Sequence, residues 1–482
     1  MMRMHPLILH HQTILKSLAL LVIFFTNSAD GSTATDALIK KHQVPESKLS
    51  ILLEDSESGE RLININPNAS RSPGSVAKLF TAFAALDLLG AGHQWKTDVF
   101  IEGKINDQGA VDHLVIRGGG DPSFSVEDLE SLILKIRAKG IREIRDDIYF
   151  DLSFFRQRKK STAQFDQSPL RPYNTMHSSL IVNSNRLDLL FNLNDETGKP
   201  DVMPLFLPAG VKIENNLSVG SGNCRDFRSQ VTFDEKFRNQ TLTILINGVY
   251  PAQCKSLDHD LAITRTEHYF FGVFKKIWLD SGGIINGYYK KKNKSNKHVL
   301  IAEVFSDDLS SALKLMIKDS DNLTSRNIFL SLPKLSKRKE LRNSRKILYQ
   351  MMKENDIDWH FRNMIDNGSG LSRETRIKAK SVMSLIQKID QGAKFSSIKP
   401  MLPISGVDGT LKNIYQSKSL RGQLRLKTGT LNGVRCLAGF ITTKSGKEYR
   451  FVFMHNNYDA HDYELRSFTT ELLNMIVNES VT

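Results

Sequence analysis

The chain runs to 482 residues with 40% hydrophobic and 24% charged side chains, a balance that excludes a polytopic membrane protein and an extended disordered chain. At roughly 100–200 residues per domain there is room for two to four domains and a large buried site. Its 66 basic and 52 acidic residues leave a net charge of +14, which makes the surface attractive to polyanions.

In chain order, Arg3 and Lys16 precede an apolar run from Leu18 to Phe25. That run is too short to span a bilayer comfortably and suits a secretory signal peptide over residues 1–29, with Asn27-Ser28-Ala29 as small residues before the cut. A retained anchor is the alternative, and in either case the bulk of the chain is exported. Residues 49–66 read as a hairpin: Leu49 to Leu53, a turn over Ser56-Glu57-Ser58-Gly59-Glu60, then Leu62, Ile63 and Ile65. A helix is predicted next, with Ser72 as N-cap and Pro73 at its first position. Leu79, Phe80, Phe83, Leu86 and Leu89 recur at helical spacing until Gly90 and Gly92, so Ser75 falls in the first turn.

Residues 95–280 read as short β-like runs and loops, with one clear helix from Val126 to Lys139 bounded by Ser125 and Gly140. Gly118-Gly119-Gly120 is followed by Asp121-Pro122 where a phosphate-binding loop needs Lys and Ser or Thr, so a tight structural turn is expected there. Of the three cysteines, Cys224 and Cys254 are able to pair in an exported protein, and loop-closure entropy would credit the bond with roughly 3–4 kcal/mol. Cys436 lies in an apolar strand pattern as a small buried hydrophobe, and no Cys and His cluster has metal-ligand spacing. The lysine-rich run from Lys290 to Lys297 has no interleaved aromatics and reads as a solvated hairpin loop; wall polymer or lipid headgroups are its minority partners, and nucleic acid is not expected outside the cytoplasm.

Beyond Val299 helical and strand periods return. Leu424 and Leu426 alternate into Lys427, and strands Val434 to Thr442 and Tyr449 to Met454 continue an antiparallel sheet that a last helix, with Leu465, Phe468, Leu472, Leu473 and Ile476, would cover. The chain thus starts a domain, leaves it for about 185 residues and returns to finish it: 30–94 with 281–482 as one discontinuous α+β domain, and 95–280 as an inserted β-rich region of two small domains.

Three short strings carry chemistry: Ser75-Val76-Ala77-Lys78, Ser320-Asp321-Asn322 and Lys427-Thr428-Gly429-Thr430. Each alone has a plain structural reading, as a capped helix start, an N-cap cluster before Leu323 to Leu330, and a strand end with a turn glycine. Together they supply the parts of an acyl-transfer site. A serine hydroxyl must lose its proton as it attacks, and Lys78, three residues on, shares a helix face with Ser75. Lys78 acts as a base only when neutral, which burial and a second cation such as Lys427 would favour. Backbone N–H groups at the start of the Ser75 helix and at Thr430 suit an oxyanion hole. Ser320 is placed to relay a proton to the leaving amine and Asn322 to bind a substrate amide, while Lys427 and Thr428 would hold a substrate carboxylate.

In their order and spacing, 245 residues from Ser75 to Ser320 and 107 from there to Lys427, these strings resemble the class C low-molecular-mass penicillin-binding proteins, the D-alanyl-D-alanine carboxypeptidase/endopeptidase family. The resemblance runs from about Leu49 to the C-terminal helix and includes Ile116 to Pro122, Pro172-Tyr173-Asn174, Asp366 to Arg373 and Leu402 to Leu411. It implies a penicillin-binding/β-lactamase-like transpeptidase domain, an antiparallel sheet flanked by helices, with domains inserted after the nucleophile helix. It implies Ser75 as the acylated nucleophile, Lys78 as its base, Ser320 and Asn322 as the second motif, and Lys427, Thr428 and Thr430 as the carboxylate and oxyanion side. The substrate would be a peptidoglycan stem peptide in the periplasm or cell envelope of a bacterium, β-lactams would acylate Ser75, and no cofactor or metal is expected. Arg326 departs from the acidic residue that family carries after its second motif, which bears on local helix pairing. Two other readings share the motifs. A β-lactamase would need a Glu placed to activate a deacylating water, and the chain shows none convincingly. A non-catalytic wall-binding protein on the same fold would have no chemical reason to keep Lys78, Ser320 and Lys427.

Overall fold

The computed structural model describes residues 32–156, 162–295, 297–334, 339–457 and 462–481, so the segment 1–29 read as a signal peptide lies outside it. Among the described residues no helix is long and apolar enough to cross a membrane.

The central sheet has five antiparallel strands in the order Leu424–Leu431, Val434–Thr442, Glu448–Asn456, Leu49–Asp55 and Arg61–Ile65. Alternation along each strand feeds two cores. Leu52, Val434, Cys436, Ala438, Phe440, Val452 and Met454 face the helices Lys78–Leu88, Leu309–Lys318, Asn322–Ser331 and Ala379–Gln391. Their neighbours Leu49, Ile51, Leu53, Leu437, Ile441, Phe451 and Phe453 face the other way, onto Ser32–Lys41 and the C-terminal helix Asp462–Val477. Burial on both faces explains why these strands read as nearly continuous apolar runs despite being antiparallel.

One polar cluster is sealed at the sheet's rim. Glu54 and Arg450, directly opposite across neighbouring strands, are both buried, and Arg450 donates to Glu54 Oε1 at 2.8 Å and to Asp390 Oδ2 at 2.9 Å. Burial pushes the Glu54 carboxyl up, but hydrogen bonds from Gln387, Arg450 and Arg61 outweigh it and hold the group below its usual value. Removing one partner of such a pair strands a buried charge. Arg450→Met is therefore expected to cost about 3–5 kcal/mol, read as a lowered urea midpoint; a midpoint unchanged from the parent would show that the ion pair is dispensable.

The second body is a five-stranded mixed sheet, ordered Tyr289–Lys291, Ile148–Asp151, Leu114–Arg117, Lys96–Glu102 and His298–Phe305, packed on the helices Val126–Ala138 and Thr266–Asp280. Three three-stranded sheets adjoin it, and all share one buried cluster that includes Ile144, Phe150, Phe191, Ile244 and Phe270. The strand His298–Phe305, expected with the catalytic domain, pairs with Lys96–Glu102 instead, and Ala302 and Val304 pack in this second cluster. Ser125 caps its helix as expected, in a reciprocal box with Asp128. The Gly118–Gly120 turn is structural: a Cβ on Gly118 would sit 2.0 Å from Ser179 O and one on Gly119 2.2 Å from Lys96 O. Cys224 and Cys254 are bonded, with Cα atoms 5.6 Å apart.

The basic run is not a plain hairpin loop. Lys290 and Lys291 belong to an edge strand that pairs in parallel with Ile148–Asp151, and they reach Asp147 and Glu267. Lys292 and Lys294 lie over the rings of Tyr149 and Phe100. Their partners are more than a hundred residues away in sequence for three of the four lysines, which is why the local pattern showed only solvated charge.

Candidate active site

The turn that carries Ser75 departs from the predicted helix start. Ser72 does not cap: its N–H donates to Asn456 Oδ1 at 2.7 Å, and its carbonyl accepts from Asn456 Nδ2 at 3.1 Å and Cys436 Sγ at 3.3 Å. These contacts stitch the chain to the sheet just before the turn. Gly74–Ala77 then forms a 3₁₀ turn, and the α-helix begins only at Lys78. In 3₁₀ geometry residues i and i+3 eclipse, so the tighter turn brings Lys78 Nζ to 3.0 Å from Ser75 Oγ.

Lys78 is fully buried and has two further contacts, Asn322 Oδ1 and Ser369 O, each at 2.7 Å. Both are carbonyl oxygens, able only to accept. A neutral amine spends its two hydrogens on them and is left with its lone pair toward the Ser75 hydroxyl, which then donates. Asn322 is itself oriented by its Nδ2, which donates to Tyr173 O at 3.1 Å. Burial pushes the Lys78 ammonium well below its ordinary value, the Lys427 and Arg326 charges add to that, and Asp321 opposes them.

The second motif divides its labour. Asp321 takes the N-cap, accepting from Thr324 N at 2.6 Å, so the helix Asn322–Ser331 is closed without using its neighbours. Ser320 sits at φ +62°, in the left-handed region that favours glycine, a strain on the order of 1–2 kcal/mol held by the helices on either side. Its hydroxyl accepts from Lys427 Nζ at 2.8 Å. Arg326, the departure from the family pattern, is buried and donates to Thr175 O, tying this helix to the inserted region rather than pairing within its own.

Lys427 is fully buried, and burial lowers its ammonium to about 7, with Asp319 opposing. Besides Ser320 it donates to Thr428 O at 3.1 Å, and it does not line the cavity of about 290 Å³ that opens beside Ser75. Ser320, Thr410, Thr428, Thr430 and Arg435 do. The expected direct grip of Lys427 on a carboxylate is therefore not open here; its charge lies behind Ser320. Gly429 is a strand residue packed face to face with the nucleophile turn, not a turn glycine: a Cβ there would lie 2.3 Å from Pro73 O and 3.0 Å from Ser75 N.

Of the seven expected residues, Ser75, Ser320, Thr428 and Thr430 line this cavity, while Lys78 and Asn322 join Ser75 by hydrogen bonds and Lys427 lies behind Ser320. Sequence reasoning gave no role to Ser369, to Thr410, whose hydroxyl pairs with Thr428 Oγ1 at 2.9 Å, or to Arg435, opposite Thr430 on the next strand. The strings Asn367-Gly368-Ser369-Gly370 and Gly409-Thr410 held the only signal for the first two: a Cβ on Gly370 would lie 1.9 Å from Gly74 O, so this loop touches the nucleophile turn directly.

The family model described as the D-Ala-D-Ala carboxypeptidase 3 (S13) family matches residues 32–473. The D-alanyl-D-alanine carboxypeptidase DacB of Haemophilus influenzae is 24% identical, covering 88% of this chain and 89% of that protein. The D-alanyl-D-alanine carboxypeptidase of Actinomadura sp. (strain R39) is 25% identical, covering 88% and 80%. The crystal structure of penicillin binding protein 4 (dacB) from Haemophilus influenzae covers 92% of this chain and 99% of its own at TM-score 0.77 and 24% identity, and its complex with a novel β-lactam has TM-score 0.72. At that identity the structures show a shared fold.

Proposed function

The chain belongs to the D-Ala-D-Ala carboxypeptidase 3 (S13) family, and on that premise we propose that its serine DD-peptidase chemistry runs through an acyl-enzyme on Ser75. The observation that carries this reading is the Lys78 amine, buried, held by two carbonyl oxygens and 3.0 Å from the Ser75 hydroxyl. Ser75 Oγ attacks the carbonyl carbon of the penultimate D-alanine as its proton passes to Lys78. The developing oxyanion is met by the amides of Ser75 and Thr430, which flank the contact between Gly74 and Gly429. Ser320, hydrogen-bonded to the Lys427 ammonium, returns a proton to the leaving amine; D-alanine departs and water then hydrolyses the ester. Asn322 fixes Lys78 and presents its amide to the substrate backbone. The terminal carboxylate is held by the Thr410, Thr428 and Thr430 hydroxyls and Arg435, with the buried Lys427 charge behind them.

A β-lactam presents the same acyl carbon, but its amine stays tethered after ring opening, so the ester persists. The peptidoglycan substrate places the working enzyme outside the cytoplasm, in line with the signal-like N-terminal segment, and the +14 surface suits an anionic wall. A labelled penicillin should add one acyl group to the intact protein, and peptide mapping should locate it on Ser75. An adduct elsewhere, or rapid turnover of a chromogenic β-lactam in place of a lasting adduct, overturns the assignment. Incubation with cross-linked and uncross-linked muropeptides, read by mass spectrometry, separates endopeptidase from carboxypeptidase action.

A further inference from the structure

Three potential metal ligands converge outside the Ser75 cleft, at one end of the second five-stranded sheet. His298 is directly opposite Glu102 across neighbouring strands, and Leu114 is opposite Ile101, which sets His113 beside Glu102 on the other flank. Residues opposite one another in a ladder share a face, so three adjacent strands present His, Glu and His in one row. Both imidazole Nε2 atoms are buried and make no hydrogen bond, although they approach the same Glu102 oxygen, at 3.4 Å from His298 and 3.7 Å from His113. The His298 side chain is 0% exposed, while Glu102 keeps 36% of its side chain open to solvent.

We propose that Glu102, His113 and His298 form a divalent-cation site of the zinc type, whose open fourth position faces solvent and which pins the ends of three strands. The distances favour this. Metal–nitrogen and metal–oxygen bonds of about 2.0–2.2 Å in tetrahedral array place ligand atoms roughly 3.4 Å apart, too far for a good hydrogen bond and close to the spacing of each imidazole from Glu102, and all three ligand atoms lie within 4.8 Å of one another. Two imidazoles and one carboxylate form a donor set that suits zinc and its first-row neighbours better than magnesium or calcium. Glu102, partly open to solvent, supplies an entry path. The backbone N–H of Ser295 donates to His298 Nδ1 at 3.0 Å, which puts the ring proton on Nε2. A cation at Nε2 moves that proton to Nδ1 and frees the Ser295 amide, so binding also rearranges the lysine-rich loop. Lys292, over the Tyr149 ring at 4.8 Å, leaves a positive charge near His113 and keeps the affinity moderate. Local spacing showed no such site because its members are 11 and 196 residues from one another in sequence.

The test uses the full chain stripped of metal by a chelator. One equivalent of Zn²⁺ is expected in equilibrium dialysis with a rise in melting temperature of several degrees, and Co²⁺ should give the visible absorption of a four-coordinate ion. His298→Ala and, independently, the near-isosteric Glu102→Gln should each weaken Zn²⁺ binding at least tenfold and abolish the Co²⁺ spectrum. Labelled-penicillin binding by these variants reports a folded catalytic domain separately from the metal readout. No stoichiometric Zn²⁺ uptake, or uptake equally strong in Glu102→Gln, overturns the proposal.

Discussion

Ser75→Ala is expected to leave no acylation by labelled penicillin or substrate, and Lys78→Met to slow acylation by about 10²–10⁴. The double variant should be no worse than Ser75→Ala, because a nucleophile and its base act as one unit and their losses do not add. The Lys78 effect carries a pH signature. Acylation needs Lys78 neutral, and its ammonium is held well below the ordinary lysine range, so the rate should rise with pH through that lowered pKa and then level. Lys427 acts in the opposite sense: its charge is present below about 7 and lost above it in the free enzyme. kcat/KM for carboxylate-bearing substrates should therefore fall on the alkaline side. Removing the cation with Lys427→Gln should abolish that falling limb and shift the rising limb upward, since Lys427 is the leading charged neighbour depressing Lys78. A rising limb unmoved in Lys427→Gln would show that burial alone sets the base, and Lys78→Met acylating within tenfold of the parent would remove Lys78 from the mechanism.

The features legible in the sequence are those set by local period or by residue type. Val434–Thr442 and Glu448–Asn456 could be read because each is a short, nearly continuous apolar run beside the turn at Lys444 to Lys447, and the Val126–Ala138 helix because Ser125 and its amphipathic stripe are contiguous. The three motifs were legible because acyl transfer needs a nucleophile, a base and a cation of fixed types. What stayed hidden depends on contacts between distant segments. Ser72 looked like a cap until Asn456 claimed both its backbone groups. Lys427 looked like a carboxylate ligand until the fold placed Ser320 over it. The pairing of the strand His298–Phe305 with Lys96–Glu102 was hidden too, because a strand's own alternation says nothing about which edge it joins. Lys290 is solvated as expected, and only its ion pair stayed hidden, since Asp147 approaches it only after two strands pair.

Gly429→Ala is the severest test of how the sheet and the nucleophile turn are joined. The added Cβ would lie 2.3 Å from Pro73 O, 3.0 Å from Ser75 N and 3.2 Å from Val76 N, all backbone atoms that cannot rotate away. On the opposing side Gly74 is confined less severely, since its own Cβ would lie 3.1 Å from Gly429 C and 3.3 Å from Thr430 N. The contact can be relieved only by parting strand and turn by about an ångström, and a displacement of that size alone can cost about 10²-fold in a well-oriented reaction. It also draws the Thr430 amide away from the oxyanion, for which losing one donor typically costs on the order of 10²–10³. Because both effects come from one movement they overlap, and acylation should fall by about 10²–10⁴ while overpacking lowers stability by about 1–3 kcal/mol. Gly92→Ala is the control, since a Cβ there meets nothing within 4 Å and the change should leave both acylation and melting near the parent. If Gly429→Ala melts earlier but acylates within tenfold of the parent, the glycine serves packing alone; if it melts normally and fails to acylate, the close approach exists to align the two amides about the reacting carbonyl.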